Sequence, residues 1–474
     1  MSFRFLICMT VLGIPGLHAQ ETVYPETVFG KHLQHIVAAI KQPTQRHLEA
    51  LVRDHFDPEI RDAFPMEEHI AYFKGLAEDL GDFEVLGVSD QIPDQLYLDV
   101  KPAHGDPRRF LVEFNPNPPH GMIGIQPVPY IDMAAFQVDD LAKLHRTLAD
   151  LAGDNQFSGA LYFEEDGIPS FSAAYGYANK RYRVENHVDT PFNTGSITKQ
   201  FTKLAVLLLI QEGTIGFEDT IGAYFPDFPA EKKAITILQL LRHESGLTEY
   251  WDSPIYQSLH YRIDNVTDYA AIIKDMPLVF KPGTARRYSN AGYNLLGIIV
   301  QKASKQNYYD FMRQRIFQPL GMLATDFYQT TLADAPIAVG YTNLSPRGPQ
   351  RGYLRENTFV LDPIGPPSGG SYSTLTDLVR YERQMLENKL LDTKHTAIYF
   401  NIGQAKSIQE AAKMPIPKVL SAAGGSPGIS ALTISDRDLG IRLVILSNYD
   451  ERLAEDIGVA LFRKLRAKHT KDKD

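Results

Sequence analysis

The sequence predicts an α+β protein made of two folded units. Three observations carry that prediction. The chain has 474 residues, more than one ordinary domain needs. Residues 20–132 run helical patterns first and strand-like patterns afterwards, the order of a small α+β domain. Residues 133–474 carry strand-like runs at both ends with helical patterns between them. A single sheet would therefore be assembled from distant segments around a helical insertion.

The elements follow in chain order. Residues 32–56 have apolar side chains at helical spacing, and residues 67–80 read as a second helix. Residues 83–88, 95–100 and 109–114 read as strands, Pro116-Asn-Pro-Pro119 closes them, and residues 122–128 are a fourth candidate. None of these residues converges on chemistry, so this unit reads as an accessory domain. In the larger unit, residues 138–151 predict a helix. Residues 159–165 and 169–175 predict a hairpin turned at Asp166-Gly167. A helix opens at Ser196 and stops at Gly213, and helical patterns fill residues 237–320. Strands return at residues 430–435 and 439–447. A helix over residues 453–465 closes the chain, with the basic tail 463–473 as its frayed end.

Composition narrows the functional classes. Hydrophobic residues are 44% and charged residues 22%, values of a globular protein. The net charge of -9 is spread without long runs, which argues against a nucleic-acid partner. Residues 1–19 read as a secretory signal. Arg4 supplies the charged start, residues 5–12 the apolar stretch, and Gly13-Ile-Pro15 a break before a cut after Ala19. A secreted or periplasmic location is expected from it. Cys8, the one cysteine, lies in that signal, so a mature chain would have no disulfide, no thiolate nucleophile and no Cys-ligated zinc. No other apolar run is long enough to span a bilayer.

One pattern carries chemistry. Ser196 and Lys199 stand one helical turn apart in Asn193-Thr-Gly-Ser-Ile-Thr-Lys-Gln-Phe201. Residues i and i+3 share a helix face, so the amine can reach the hydroxyl. A serine hydroxyl needs such a partner before it attacks a carbonyl. Alone the pair is a weak signal, because Ser and Lys are common. A Ser-His-Asp reading through His243 is disfavoured. Thr194 and Thr198 stand where the glycines of a Gly-x-Ser-x-Gly elbow would fall. His243-Glu244 is not a zinc motif either, since Leu247 occupies the place of a second histidine. No metal or organic cofactor is implied.

Further segments give the pair its weight. Leu240-Leu-Arg-His-Glu-Ser-Gly-Leu247 comes first. Tyr288-Ser-Asn290 follows, a few residues after Lys281-Pro-Gly283. Then come Ile316-Phe-Gln-Pro-Leu-Gly-Met322, Gly369-Gly-Ser-Tyr-Ser-Thr-Leu-Thr-Asp377 and Ala422-Ala-Gly-Gly-Ser-Pro-Gly428. In this order they closely resemble the serine β-lactamase-like hydrolases, which include class C β-lactamases, penicillin-binding DD-peptidases and related esterases. The resemblance runs from about residue 157 to residue 465 and leaves residues 20–132 outside. It implies a three-layer α/β/α domain with an antiparallel sheet and an all-helical subdomain.

The resemblance also implies roles. Ser196 would be the acyl-accepting nucleophile and Lys199 its general base. Tyr288 would relay the proton or share the base role, and the sequence does not choose between them. Asn290 would orient a substrate amide or hold Lys199, and Gly424 would stand at the substrate-binding third motif. The oxyanion hole would use the N–H groups of Ser196 and Gly425. His243 would brace a loop. Tyr250, Trp251 and Tyr372 read either as cleft lining or as packing.

The chain departs from the family at the third motif. The family begins it with Lys or His, which binds a substrate carboxylate; here the triplet is Ala422-Ala423-Gly424. Losing a hydrogen bond to a charged group weakens recognition about 10- to 100-fold. Lys418 or Arg351 could substitute from a neighbouring loop, which nothing in the sequence shows. The expectation is therefore a secreted serine hydrolase acting on an ester or amide with no obligatory carboxylate beside the scissile bond. A β-lactamase or DD-peptidase acting on cell-wall peptides is one alternative. A degenerate scaffold binding peptidoglycan or a protein is another.

Overall fold

A computed structural model describes residues 24–92, 94–115, 118–128, 130–251, 253–332, 336–343, 354–450 and 452–471. The expected signal at residues 1–19 lies outside them. The chain divides into two compact units, and the boundary falls between Asp132 and Met133.

In the smaller unit the helices are α1 (Val28–Lys41), α2 (Gln45–His55), α3 (Pro58–Ala63) and α4 (Met66–Leu80). The single helix expected over residues 32–56 is broken in two. Pro43 has no N–H for the helical ladder, and Thr44 starts α2 by accepting the His47 N–H at 3.2 Å. The strands β1 (Phe83–Ile92), β2 (Gln95–Pro102), β3 (Arg108–Phe114) and β4 (Met122–Val128) form an antiparallel sheet in that order. Leu33, Leu48, Val52 and Phe73 of the helices share one buried core with Leu96 and Val112 of the sheet.

The larger unit opens with α5 (Leu141–Gly153), three residues later than expected, because Asp140 caps it through the Lys143 N–H at 2.9 Å. Next come β5 (Gly159–Glu165) and β6 (Ile168–Tyr175). Their turn residues Asp166 and Gly167 both have positive φ, 53° and 76°, as a two-residue hairpin turn requires. The elements that matter for function are β7 (Phe192–Asn193), α6 (Thr198–Gln211), α7 (Asn290–Ser304), β8 (Tyr372–Ser373) and α8 (Leu375–Leu386). The chain ends with β9 (Val419–Ser426), β10 (Ile429–Asp436), β11 (Ile441–Ser447) and α9 (Leu453–Lys471).

The central sheet is antiparallel, in the order β9-β10-β11-β5-β6. Alternation along β10 sends Leu432 to one face and Ser435 to the other. Against the Leu432 face lies α9, where a Cβ on Gly458 would stand 2.6 Å from the Leu432 side chain. The same face carries Phe163, stacked on Phe171, against which His145 of α5 packs at 4.7 Å. On the opposite face Glu382 of α8 accepts from the Ser435 hydroxyl at 2.7 Å. Three layers result. The helical subdomain is the insertion between α6 and α8, with Leu240, Tyr269, Ile273, Leu295 and Ile299 in its core. This is the β-lactamase/transpeptidase-like arrangement. Among the described residues no helix is long and apolar enough to cross a membrane.

Candidate active site

The strand pair β7–β8 anchors the turn before α6, with Asn193 opposite Tyr372. Gly195 has φ +49°, and a Cβ there would stand 2.9 Å from the Gly424 and Gly425 backbone. Both facts call for glycine. Ser196 follows in a single tight turn, and α6 starts at Thr198. Ser196 is therefore at a helix N-terminus, where the first backbone N–H groups have no acceptor within the helix.

Lys199 is 4% exposed and makes three bonds. Its Nζ donates to Ser196 Oγ at 3.1 Å, to Asn290 Oδ1 at 2.6 Å and to the Ser368 carbonyl. Burial pulls its ammonium down to about 7, against the opposing pull of Glu249. Tyr288 donates from its hydroxyl to Ser196 Oγ at 2.8 Å. Its ring lies 4.7 Å from the lysine Nζ. Lys199 and Tyr288 thus meet at the Ser196 hydroxyl, with Asn290 holding Lys199 from the other side.

His243 is not within this set. Its ring stacks on Tyr293 and lies 4.7 Å from the Tyr288 ring. Its Nδ1 accepts the Ser289 N–H at 3.2 Å. Burial and the neighbouring cations Lys199, Arg286 and Lys203 hold it down to about 3, so it is neutral. It braces the segment that carries Tyr288.

Glu249 went unnoticed in the sequence. Its carboxylate accepts the Asn290 backbone N–H at 3.2 Å and the Asn290 side-chain amide at 3.0 Å. Asn290 therefore has its side-chain oxygen on Lys199 and one amide hydrogen on Glu249, leaving one donor hydrogen. Burial pushes the Glu249 carboxyl up. An acid two residues beyond the Leu240–Leu247 motif was the available signal.

The third motif lies on β9 beside the Ser196 turn. A Cβ on Gly424 would stand 2.1 Å from the Thr194 carbonyl and 2.7 Å from the Ser196 nitrogen, so only glycine fits. Gly425 and Ser426 line the cleft that opens at Ser196, which encloses about 610 Å³, part of it open to solvent. Tyr250, Trp251 and Tyr372 line it too. Lys418 does not substitute for the missing family cation. It is exposed at the far end of β9 and pairs with Asp438 at 2.5 Å. Arg351 lies outside the described residues. Asp362, on the cleft wall, was also missed; the signal was an acid set among the apolar residues 359–364. Among the described residues no group of three or more His, Cys, Asp or Glu is placed to hold a metal ion.

The Beta-lactamase family model matches residues 144–468, more than half of the chain. The chain belongs to the beta-lactamase family. It is 28% identical over 338 residues to Penicillin-binding protein 4* of Bacillus subtilis (strain 168), across 65% of this chain and 71% of that protein. It is 34% identical over 182 residues to Protein flp of Staphylococcus aureus (strain NCTC 8325 / PS 47), across 37% of this chain and 36% of that protein. The crystal structure of a penicillin binding protein from Bacillus halodurans shares the fold with a TM-score of 0.58 at 24% identity, covering 67% of this chain and 99% of that one. The beta-lactamase family match starts after the small unit ends. Membership places the chain among the β-lactamase and penicillin-binding-protein-like serine hydrolases and supports an acyl-enzyme mechanism.

Proposed function

We propose that this chain is a secreted or periplasmic serine hydrolase that cleaves an ester or amide through an acyl-enzyme on Ser196. One observation carries the reading: Ser196 Oγ lies within hydrogen-bond reach of both Lys199 Nζ and Tyr288 OH. Oγ attacks the substrate carbonyl carbon, and its proton passes to neutral Lys199. Burial favours that neutral form. The carbonyl oxygen gathers negative charge and is met by the N–H groups of Ser196 and Gly425. Each such donor contributes about 3–4 kcal/mol to an oxyanion. The C–O or C–N bond then breaks; Tyr288 gives its hydroxyl proton to the leaving group and takes back the one held by Lys199, which returns to the neutral form. Water enters by the reverse path and frees Ser196. Asn290 holds Lys199 in place, with Gly424 permitting β9 to lie against the nucleophile turn.

Ala422 and the engagement of Lys418 with Asp438 favour substrates without an obligatory carboxylate. A second reading, a β-lactamase or DD-peptidase acting on cell-wall peptides, is favoured by the similarity to penicillin-binding proteins. Intact-protein mass spectrometry separates the readings. The protein and Ser196→Ala are each incubated with a fluorophosphonate and, separately, with a penicillin. A fluorophosphonate adduct that needs Ser196, without a penicillin adduct or penicillin turnover, is the expected result. Penicillin acylation moves the assignment to cell-wall peptides. No adduct with either reagent on folded protein leaves a binding scaffold for peptidoglycan or a protein partner.

A further inference from the structure

The cleft beside Ser196 contains an acid that the proposed reaction does not use. Asp362 lines it and is only 7% exposed. Its carboxylate accepts the Tyr256 hydroxyl at 3.0 Å and the Tyr269 hydroxyl. Neither donor is a cation, and no Lys, Arg or His pairs with Asp362 among the described residues. A carboxylate has about four acceptor positions, so two tyrosines leave capacity unused. A buried, unpaired carboxylate is costly. Burial accordingly pushes Asp362 up to about 7, and the two tyrosine bonds only partly oppose it.

Aromatic residues share the cleft with this acid. Tyr250, Trp251 and Tyr256 line the same cleft. Tyr250 stands 5.4 Å from Trp251, and 4.9 Å edge-on from Tyr256. A carboxylate in a cleft lined by aromatic residues is the chemistry that receives an ammonium ion, because ring quadrupoles and the acid both attract the cation. The opposite ligand class is disfavoured. The family cation is replaced by Ala422, and Asp362 would repel a substrate carboxylate.

We infer that Asp362, with Tyr250, Trp251 and Tyr256, forms a subsite for a substituted ammonium group on the substrate. The inference rests on the serine-hydrolase reading and names its substrate class: cationic, amine-bearing esters or amides. An arriving ammonium gives Asp362 the partner that the protein withholds.

Two isosteric ester pairs test it. One places the charge in the acyl group: trimethylammonioacetic acid phenyl ester against 3,3-dimethylbutyric acid phenyl ester. The other places it in the leaving group: propionylcholine against 3,3-dimethylbutyl propionate. The ratio of kcat/KM within a pair is measured for the wild type and for Asp362→Asn, so that intrinsic reactivity cancels. In at least one pair the ratio falls roughly 10- to 100-fold in Asp362→Asn, the weight of a hydrogen bond to a charged group. Tetramethylammonium chloride also perturbs Trp251 fluorescence in the wild type, a readout that needs no variant. Unchanged ratios in both pairs, with Ser196 still required for turnover, overturn the subsite and leave the hydrolase standing. Turnover that survives Ser196→Ala overturns both.

Discussion

Lys199 is held between two opposing influences. In the proposed mechanism its amine must be neutral to take a proton from Ser196, and burial favours that state. Glu249 works against it by favouring the ammonium. Asn290 stands between the two, oxygen toward Lys199 and amide toward Glu249. The sign of the pH dependence follows. With Lys199 lowered to about 7, the base is lost as pH falls through that value, and kcat/KM for a neutral ester falls with it. Glu249→Gln keeps an oxygen for the Asn290 donors and removes the charge. The ammonium then loses its support, and the acid limb of the kcat/KM profile moves to lower pH by about one unit, the low end of a neighbouring charge's effect. A pH–rate profile checks this. A merely structural role for Glu249 would lower the rate without moving the limb.

At the level of elements, β9 must lie flat against the turn before α6 for Ser196 and Gly425 to converge. The backbone contact at Gly424 sets that distance. Gly424→Ala inserts a Cβ where there is 2.1 Å to the Thr194 carbonyl, and backbone cannot yield there as a side chain would. The expected outcome is a fall in kcat/KM of about 100-fold, typical of a 1 Å displacement at a catalytic group, with far-UV circular dichroism unchanged. Wild-type kcat/KM in Gly424→Ala would break the link between β9 and the nucleophile. The same strand marks where the sequence stopped being legible. Strands β5, β6, β10 and β11 announce themselves through apolar and β-branched runs, and α6 through its spacing. The motif at Ala422 to Gly428 was recognised, but Ser-Ala-Ala-Gly-Gly-Ser has no strand signature, because what fixes β9 is the ladder to β10 and not its own propensity. Helix α8 was missed although Thr374 caps it through the Asp377 N–H at 3.2 Å. Among the site residues, Ser196, Lys199, Tyr288 and Asn290 were readable because a motif surrounds each. Glu249 and Asp362 were not, since a buried acid is known only once its neighbours are.

Across the larger unit, the cleft draws its walls from six separate stretches around Ser196, Trp251, Asn290, Thr330, Asp362 and Gly425. No local segment can hold such a site alone, so its integrity depends on the whole fold. A buried ion network ties the layers together. Glu164 of β5, 1% exposed, takes Arg442 of β11 and Arg383 of α8, and Arg442 also meets Glu382 at 3.0 Å. Glu164→Gln leaves Arg383 and Arg442 short of one negative charge. Breaking a fully buried pair costs about 3–5 kcal/mol; Arg383 is 42% exposed and Arg442 keeps Glu382, so the expected loss falls below that range. Trp251 is the one tryptophan of the chain and sits on the cleft wall, so its fluorescence reports on the site without labelling. In a urea titration, loss of Trp251 signal and loss of the proposed hydrolase activity should coincide in the wild type. In Glu164→Gln, both midpoints should move together to lower urea, although Glu164 does not line the cleft. If activity instead disappears well before the fluorescence changes, the cleft opens locally, and the ion network is not what keeps Ser196 and its partners in register.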